Sequence, residues 1–117
     1  MKTTIWHNPR CSKSREAVAL AEEVGIQSEV RKYLDDAPTL AELKEVFQML
    51  ELSSIREWMR TGESIYKELN LKEETDEEKL LQAMLDNPKL IQRPVLIKGN
   101  KAIIGRPFSI IEEFLKS

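Results

Sequence analysis

The sequence predicts an α/β domain interrupted by a run of helices. Two observations carry this. The first thirty-odd residues change from a strand-like run to a helical period and back again, and the last twenty-odd read as a hairpin followed by a helix. Between them, capping signals recur and no strand pattern is found.

Thr3-Thr4-Ile5-Trp6 is β-branched and aromatic, which reads as a short strand. Asn8-Pro9 breaks it. From Ser12 the period changes, and Ala17, Leu20, Ala21 and Val24 fall on one helix face, with Gly25 as C-cap. Gln27 to Leu34 reads as a second strand, with Val30 and Tyr33 expected to face the core. Strand–helix–strand over this length predicts a βαβ unit with a parallel pair.

Asp35-Asp36-Ala37-Pro38 is a turn, and Thr39 with Glu42 forms a capping box for a helix bearing Leu40, Leu43, Phe47 and Leu50. Ser54 with Glu57 predicts another, opening a short helix that carries Ile55, Trp58 and Met59 and ends at Thr61-Gly62. Ser64 to Leu69 reads as one or two helical turns. Thr75 with Glu78 is expected to cap a further helix, which Asn87-Pro88 stops. Val95-Leu96-Ile97 is a third strand, Gly99-Asn100 a tight turn, and Ala102-Ile103-Ile104 the return strand. A last helix follows Gly105-Arg106-Pro107, with Ser109 and Glu112 at capping-box spacing. The expected organisation is one domain over 1–117, with a helical insertion at about 39–88.

No apolar run is long enough to span a membrane, and the start lacks the apolar region of a signal peptide. One cysteine forms no intramolecular disulfide, so a reducing, cytoplasmic setting is expected. Nothing resembles a nucleotide-binding loop or a nucleic-acid fingerprint, and with a single Cys and a single His no metal site is expected.

Charge is uneven. Residues 1–15 carry Lys2, Arg10, Lys13 and Arg15 without an acid, and residues 87–111 carry Lys89, Arg93, Lys98, Lys101 and Arg106 without one. If the two segments meet, they make a positive site on a protein of net charge −2. Chance together with strand composition is the plain alternative.

The chemistry centres on His7-Asn8-Pro9-Arg10-Cys11-Ser12-Lys13-Ser14-Arg15. A lone cysteine is commonly a small buried apolar residue. Cys11 instead lies outside the apolar periodicity, among polar neighbours and at a helix start. An unperturbed thiol of pKa about 8.5 is only about 3% ionised at pH 7, and lowering it to about 6.5 needs ~2.7 kcal/mol. A helix N-terminus supplies about 0.3–1 kcal/mol, up to about 2 when sheltered. Cations must therefore supply the remainder. The same donors suit a tetrahedral oxyanion. Arg60, Arg93 and Arg106 are candidates for that role, with a plain surface charge as the alternative for Arg60. Position 14 is Ser, so no internal thiol can resolve an adduct on Cys11, and an external thiol must.

The stretch around Cys11, followed by Arg60, Arg93-Pro94 and Gly105-Arg106-Pro107, closely resembles the glutaredoxin-coupled arsenate reductase (ArsC) family, over nearly the whole chain. The resemblance implies a thioredoxin/glutaredoxin-like fold with the helical insertion between the second and third strands. It implies that Cys11 attacks arsenate, and that glutathione and then glutaredoxin complete reduction to arsenite. It places Arg60, Arg93 and Arg106 on oxyanion-binding arginines and Ser14 and Arg15 on polar residues of the anion loop. His7 falls on the histidine linked to lowering the nucleophile's pKa, and Pro94 on a structural cis-proline. No tightly bound cofactor is expected, with glutathione as co-substrate, and the protein is expected to be a monomer. The family also includes Spx-type regulators that bind RNA polymerase. A Cys-x-x-Cys switch, common among those, is excluded by Ser14. A regulator of that type and a reductase for another thiol substrate are the alternatives.

Overall fold

A computed structural model of the chain describes residues 2–106 and 109–116. The chain forms two compact units, Met1–Asp36 with Arg93–Ser117, and Ala37–Gln92.

The first unit contains β1 (Thr3–Trp6), α1 (Ser12–Glu23), β2 (Ser28–Arg31), β3 (Val95–Lys98), β4 (Lys101–Ile104) and α5 (Ser109–Lys116). The sheet order is β2-β1-β3-β4. β1 and β2 are parallel, while β1–β3 and β3–β4 are antiparallel. Ile5 pairs with Leu96, so both side chains rise on one face of the sheet. There they join Ala17 and Ala21 of α1 and Ile111 and Leu115 of α5 in one buried cluster. Small residues on α1 let that helix lie close to the strands. Each large side chain here contributes about 1.5–3 kcal/mol relative to exposure.

α1 ends at Glu23 with Val24 as C-cap, and Gly25 beyond it takes φ +76, a left-handed conformation that favours glycine. The second strand is shorter than expected, and Val30 is 40% exposed rather than core-facing. β2 is the edge of the sheet, so its pairing with buried Ile5 does not bring cover with it. Tyr33, just beyond the strand, is buried as expected. Arg31 lies over the Trp6 ring, 5.7 Å from its centroid.

The second unit contains α2 (Leu40–Leu50), α3 (Ser64–Glu68), α4 (Glu77–Asp86) and 3-10 turns at Ile55–Trp58, Leu71–Glu73 and Pro88–Leu90. Thr39 and Glu42 form the expected reciprocal capping box. Two other caps differ from expectation. The Ser54 hydroxyl accepts from the Arg56 N–H, and Glu57 turns instead to Ser53. That segment is a 3-10 turn, too tight to place a glutamate back over its own N-cap. Asp76, not Thr75, caps α4, accepting from the Glu78 N–H at 2.9 Å. The N-cap of α5 lies outside the described residues.

Arg56 ties the second unit together. Its Nε donates to the Tyr66 hydroxyl at 3.1 Å, and its Nη2 donates to the Leu71 carbonyl at 2.8 Å and to the Glu74 carbonyl.

Candidate active site

The loop from β1 to α1 is a tight turn. The Cys11 N–H donates to the Asn8 carbonyl at 2.9 Å, with Pro9 in the position where its fixed φ suits a turn. The Asn8 side chain accepts from the Arg10 N–H at 3.0 Å. Arg15 reaches back with Nη1 to the Pro9 carbonyl at 2.9 Å. Arg15 thus braces the loop, and Asn8, whose role the sequence pattern did not reveal, shapes it.

This turn makes Cys11 the N-cap of α1, with extended backbone, and its carbonyl accepts the first helical hydrogen bond from Arg15 at 3.0 Å. No acid lies in the first turn of the helix. The Cys11 residue is 8% exposed. Burial pushes the thiol up. The Ser14 N–H, the Arg93 charge, the Lys13 N–H and a hydrogen bond from Arg93 together outweigh it and hold the pKa at about 7.

Arg106 follows β4 and joins the site from the second acid-free segment. Its Nε donates to the Arg93 carbonyl at 2.8 Å, and its Nη2 stands 3.7 Å from Cys11 Sγ. The two acid-free segments therefore meet at the thiol. The Arg93–Pro94 peptide is cis. The Pro94 carbonyl accepts from the Gly105 N–H at 2.8 Å, joining the segment that leads into β3, where Arg93 lies, to the end of β4, which Arg106 follows. A Cβ on Gly105 would lie 2.9 Å from Pro94 Cγ and 3.0 Å from both Ile111 Cδ1 and Leu96 Cδ1. Glycine is needed there for space.

His7 is buried at the end of β1, and its N–H donates to the Arg31 carbonyl at 2.7 Å. Burial, then Lys32 and Arg15, lower its pKa against an opposing effect of the Ser14 backbone. The lowered pKa favours the neutral ring at neutral pH. Ser14 is fully buried, and it acts on the thiol through its N–H. Arg60 belongs to the helical unit. There its N–H donates to the Leu90 carbonyl at 2.8 Å and its guanidinium pairs with Glu63. Among the described residues, no group of three or more His, Cys, Asp or Glu side chains is placed to hold a metal.

A parallel–antiparallel sheet of this order, a cysteine capping the first helix and a cis-proline at the third strand define a thioredoxin-like protein. It carries one activated thiol where a dithiol pair would stand. The model of the ArsC family matches residues 6–114. An arsenate reductase of Neisseria meningitidis serogroup A is 50% identical over 112 residues, covering 95% of this chain and 96% of that protein. An arsenate reductase of Haemophilus influenzae is 40% identical, covering 98% and 100%. The structure of an arsenate reductase from Vibrio cholerae superposes with a TM-score of 0.92 at 45% identity, covering 97% of each chain. The chain belongs to the ArsC family.

Proposed function

We propose that the protein is an arsenate reductase that uses Cys11 as nucleophile. The observation that carries this reading is the placement of Arg106 Nη2 3.7 Å from Cys11 Sγ, on a thiol whose pKa is lowered to about 7. A thiolate and an anionic substrate repel each other, and a guanidinium beside the sulfur offsets both charges. Relatives that carry the name arsenate reductase align over nearly the full chain, which supports arsenate as the oxyanion.

In this reading Arg93 and Arg106 receive the oxyanion. The Cys11 thiolate attacks arsenic, forming a sulfur–arsenic bond as an arsenate oxygen leaves as water. Two external thiol equivalents complete the reaction. Arsenic(V) gains two electrons and leaves as arsenite, and the two thiols become one disulfide. Ser14 in place of a second cysteine supports glutathione and glutaredoxin in that role, because the chain has no resolving thiol of its own. The thiol-rich reductants imply a cytoplasmic setting.

Arsenite formation with glutathione and glutaredoxin tests the proposal. Turnover that is lost in Cys11→Ser is the expected result, and an unmodified protein that forms no arsenite under those conditions overturns it.

A further inference from the structure

A cavity of about 280 Å³ lies beside the nucleophile's loop, lined by His7, Asn8, Arg10, Lys32, Leu34 and Asp35 among others. That is just below the range of small-ligand pockets, roughly 300–1,000 Å³, and suits part of a small ligand. Its lining carries two cations and one carboxylate. No ion pair among the described residues engages Arg10, Lys32 or Asp35, although the Lys32 carbonyl accepts from the Asp35 N–H at 3.0 Å. Opposite charges are thus presented to the same cavity without neutralising each other.

His7 adds a second feature. The residue is more than nine-tenths buried, and its Nδ1 has no hydrogen-bond partner. Its lowered pKa keeps that ring neutral, so it adds no third positive charge to the wall. Leu34, 40% exposed, supplies an apolar surface for a short methylene stem.

We propose that this cavity seats the α-amino acid end of the small thiol that resolves the Cys11 adduct. Such an end carries a carboxylate and an ammonium group on one carbon. Arg10 and Lys32 suit the carboxylate, and Asp35 suits the ammonium. Arg10 directly precedes Cys11, so their Cα atoms are about 3.8 Å apart, and a thiol anchored here remains within a few residues' length of Sγ. The proposal rests on Cys11 being a nucleophile that an external thiol must release. It adds where that thiol binds and which part of it is recognised.

S-methylglutathione keeps the amino acid group and cannot exchange with Cys11, so it probes the cavity without chemistry. Titrated into the full-length protein, it is expected to shift the backbone amide resonances of residues 8, 10 and 32–35 saturably. Lys32→Glu is expected to weaken that binding roughly fivefold, and Asp35→Asn to weaken it to a lesser degree. Both side chains are exposed, so neither change removes core packing. Shifts confined to residues 95–104, no saturable shifts at all, or affinity unaltered in both variants overturns the proposal. Inorganic phosphate added to separate samples reports the oxyanion reading independently. Phosphate that fails to bind overturns that reading, whereas failure of S-methylglutathione alone overturns only the cavity assignment.

Discussion

Arg106 holds Cys11 Sγ with Nη2 at 3.7 Å while its Nε donates to the carbonyl of Arg93 at 2.8 Å. One planar guanidinium thus uses a backbone oxygen to fix its own orientation and aims its second nitrogen at the thiol. A lysine is a point donor on a flexible stem and cannot keep both contacts in that geometry. Arg106→Lys is expected to raise the Cys11 pKa and to weaken oxyanion affinity roughly three- to tenfold. Phosphate inhibition and the pH profile of alkylation measure the two effects.

Arg93 acts on Cys11 both through charge and through a hydrogen bond. A hydrogen bond involving a charged group contributes about 1.5–3 kcal/mol. Arg93→Ala is expected to raise the Michaelis constant for arsenate roughly tenfold or more. A constant unchanged within error removes Arg93 from the oxyanion site.

The lowered thiol pKa makes stability depend on pH. The unfolded thiol ionises at about 8.5, and the folded one at about 7. The ionised form therefore adds stability that is full above the unfolded value and is lost as pH falls through the folded value. Relative to Cys11→Ser, the unmodified protein is expected to gain stability between about pH 6 and about pH 9. Urea unfolding at both ends of that range checks the sign.

Gly105→Ala is expected to lower stability by about 1–3 kcal/mol, because the new methyl meets three packed side chains. The added group presses on Pro94, so thiol reactivity is expected to change as well. Urea unfolding and alkylation of the same variant read both.

Arg56→Ala leaves the Leu71 and Glu74 carbonyls and the Tyr66 hydroxyl without their shared donor. These groups are part-buried, so each orphan costs up to about 1–3 kcal/mol, the cost of a fully buried one. A clear fall in the urea midpoint of the full chain is expected.

Sequence periodicity sufficed for the sheet, because β1, α1, β3 and β4 each carry an uninterrupted pattern of one period. It failed for Val30, since edge position depends on where the third strand pairs, and that contact is distant in sequence. It failed for the α4 cap, where Thr75 and Asp76 are adjacent residues that both suit an N-cap and spacing does not choose between them. The half of the site in residues 7–15 was legible because its turn, cap and charges are local. Arg106 was a candidate from its acid-free stretch and from the family resemblance, but its contact with Cys11 and its bracing hydrogen bond to the Arg93 carbonyl left no trace in residue types. Arg56 read as one charge among many, since its partners include two backbone carbonyls.

The fold lowers the Cys11 pKa to about 7, so that about half of the thiol is ionised at pH 7. The pH dependence of iodoacetamide alkylation measures this directly on the unmodified protein. A midpoint of about 7 is the expected result. A midpoint at about 8.5, the value of an unperturbed thiol, contradicts it.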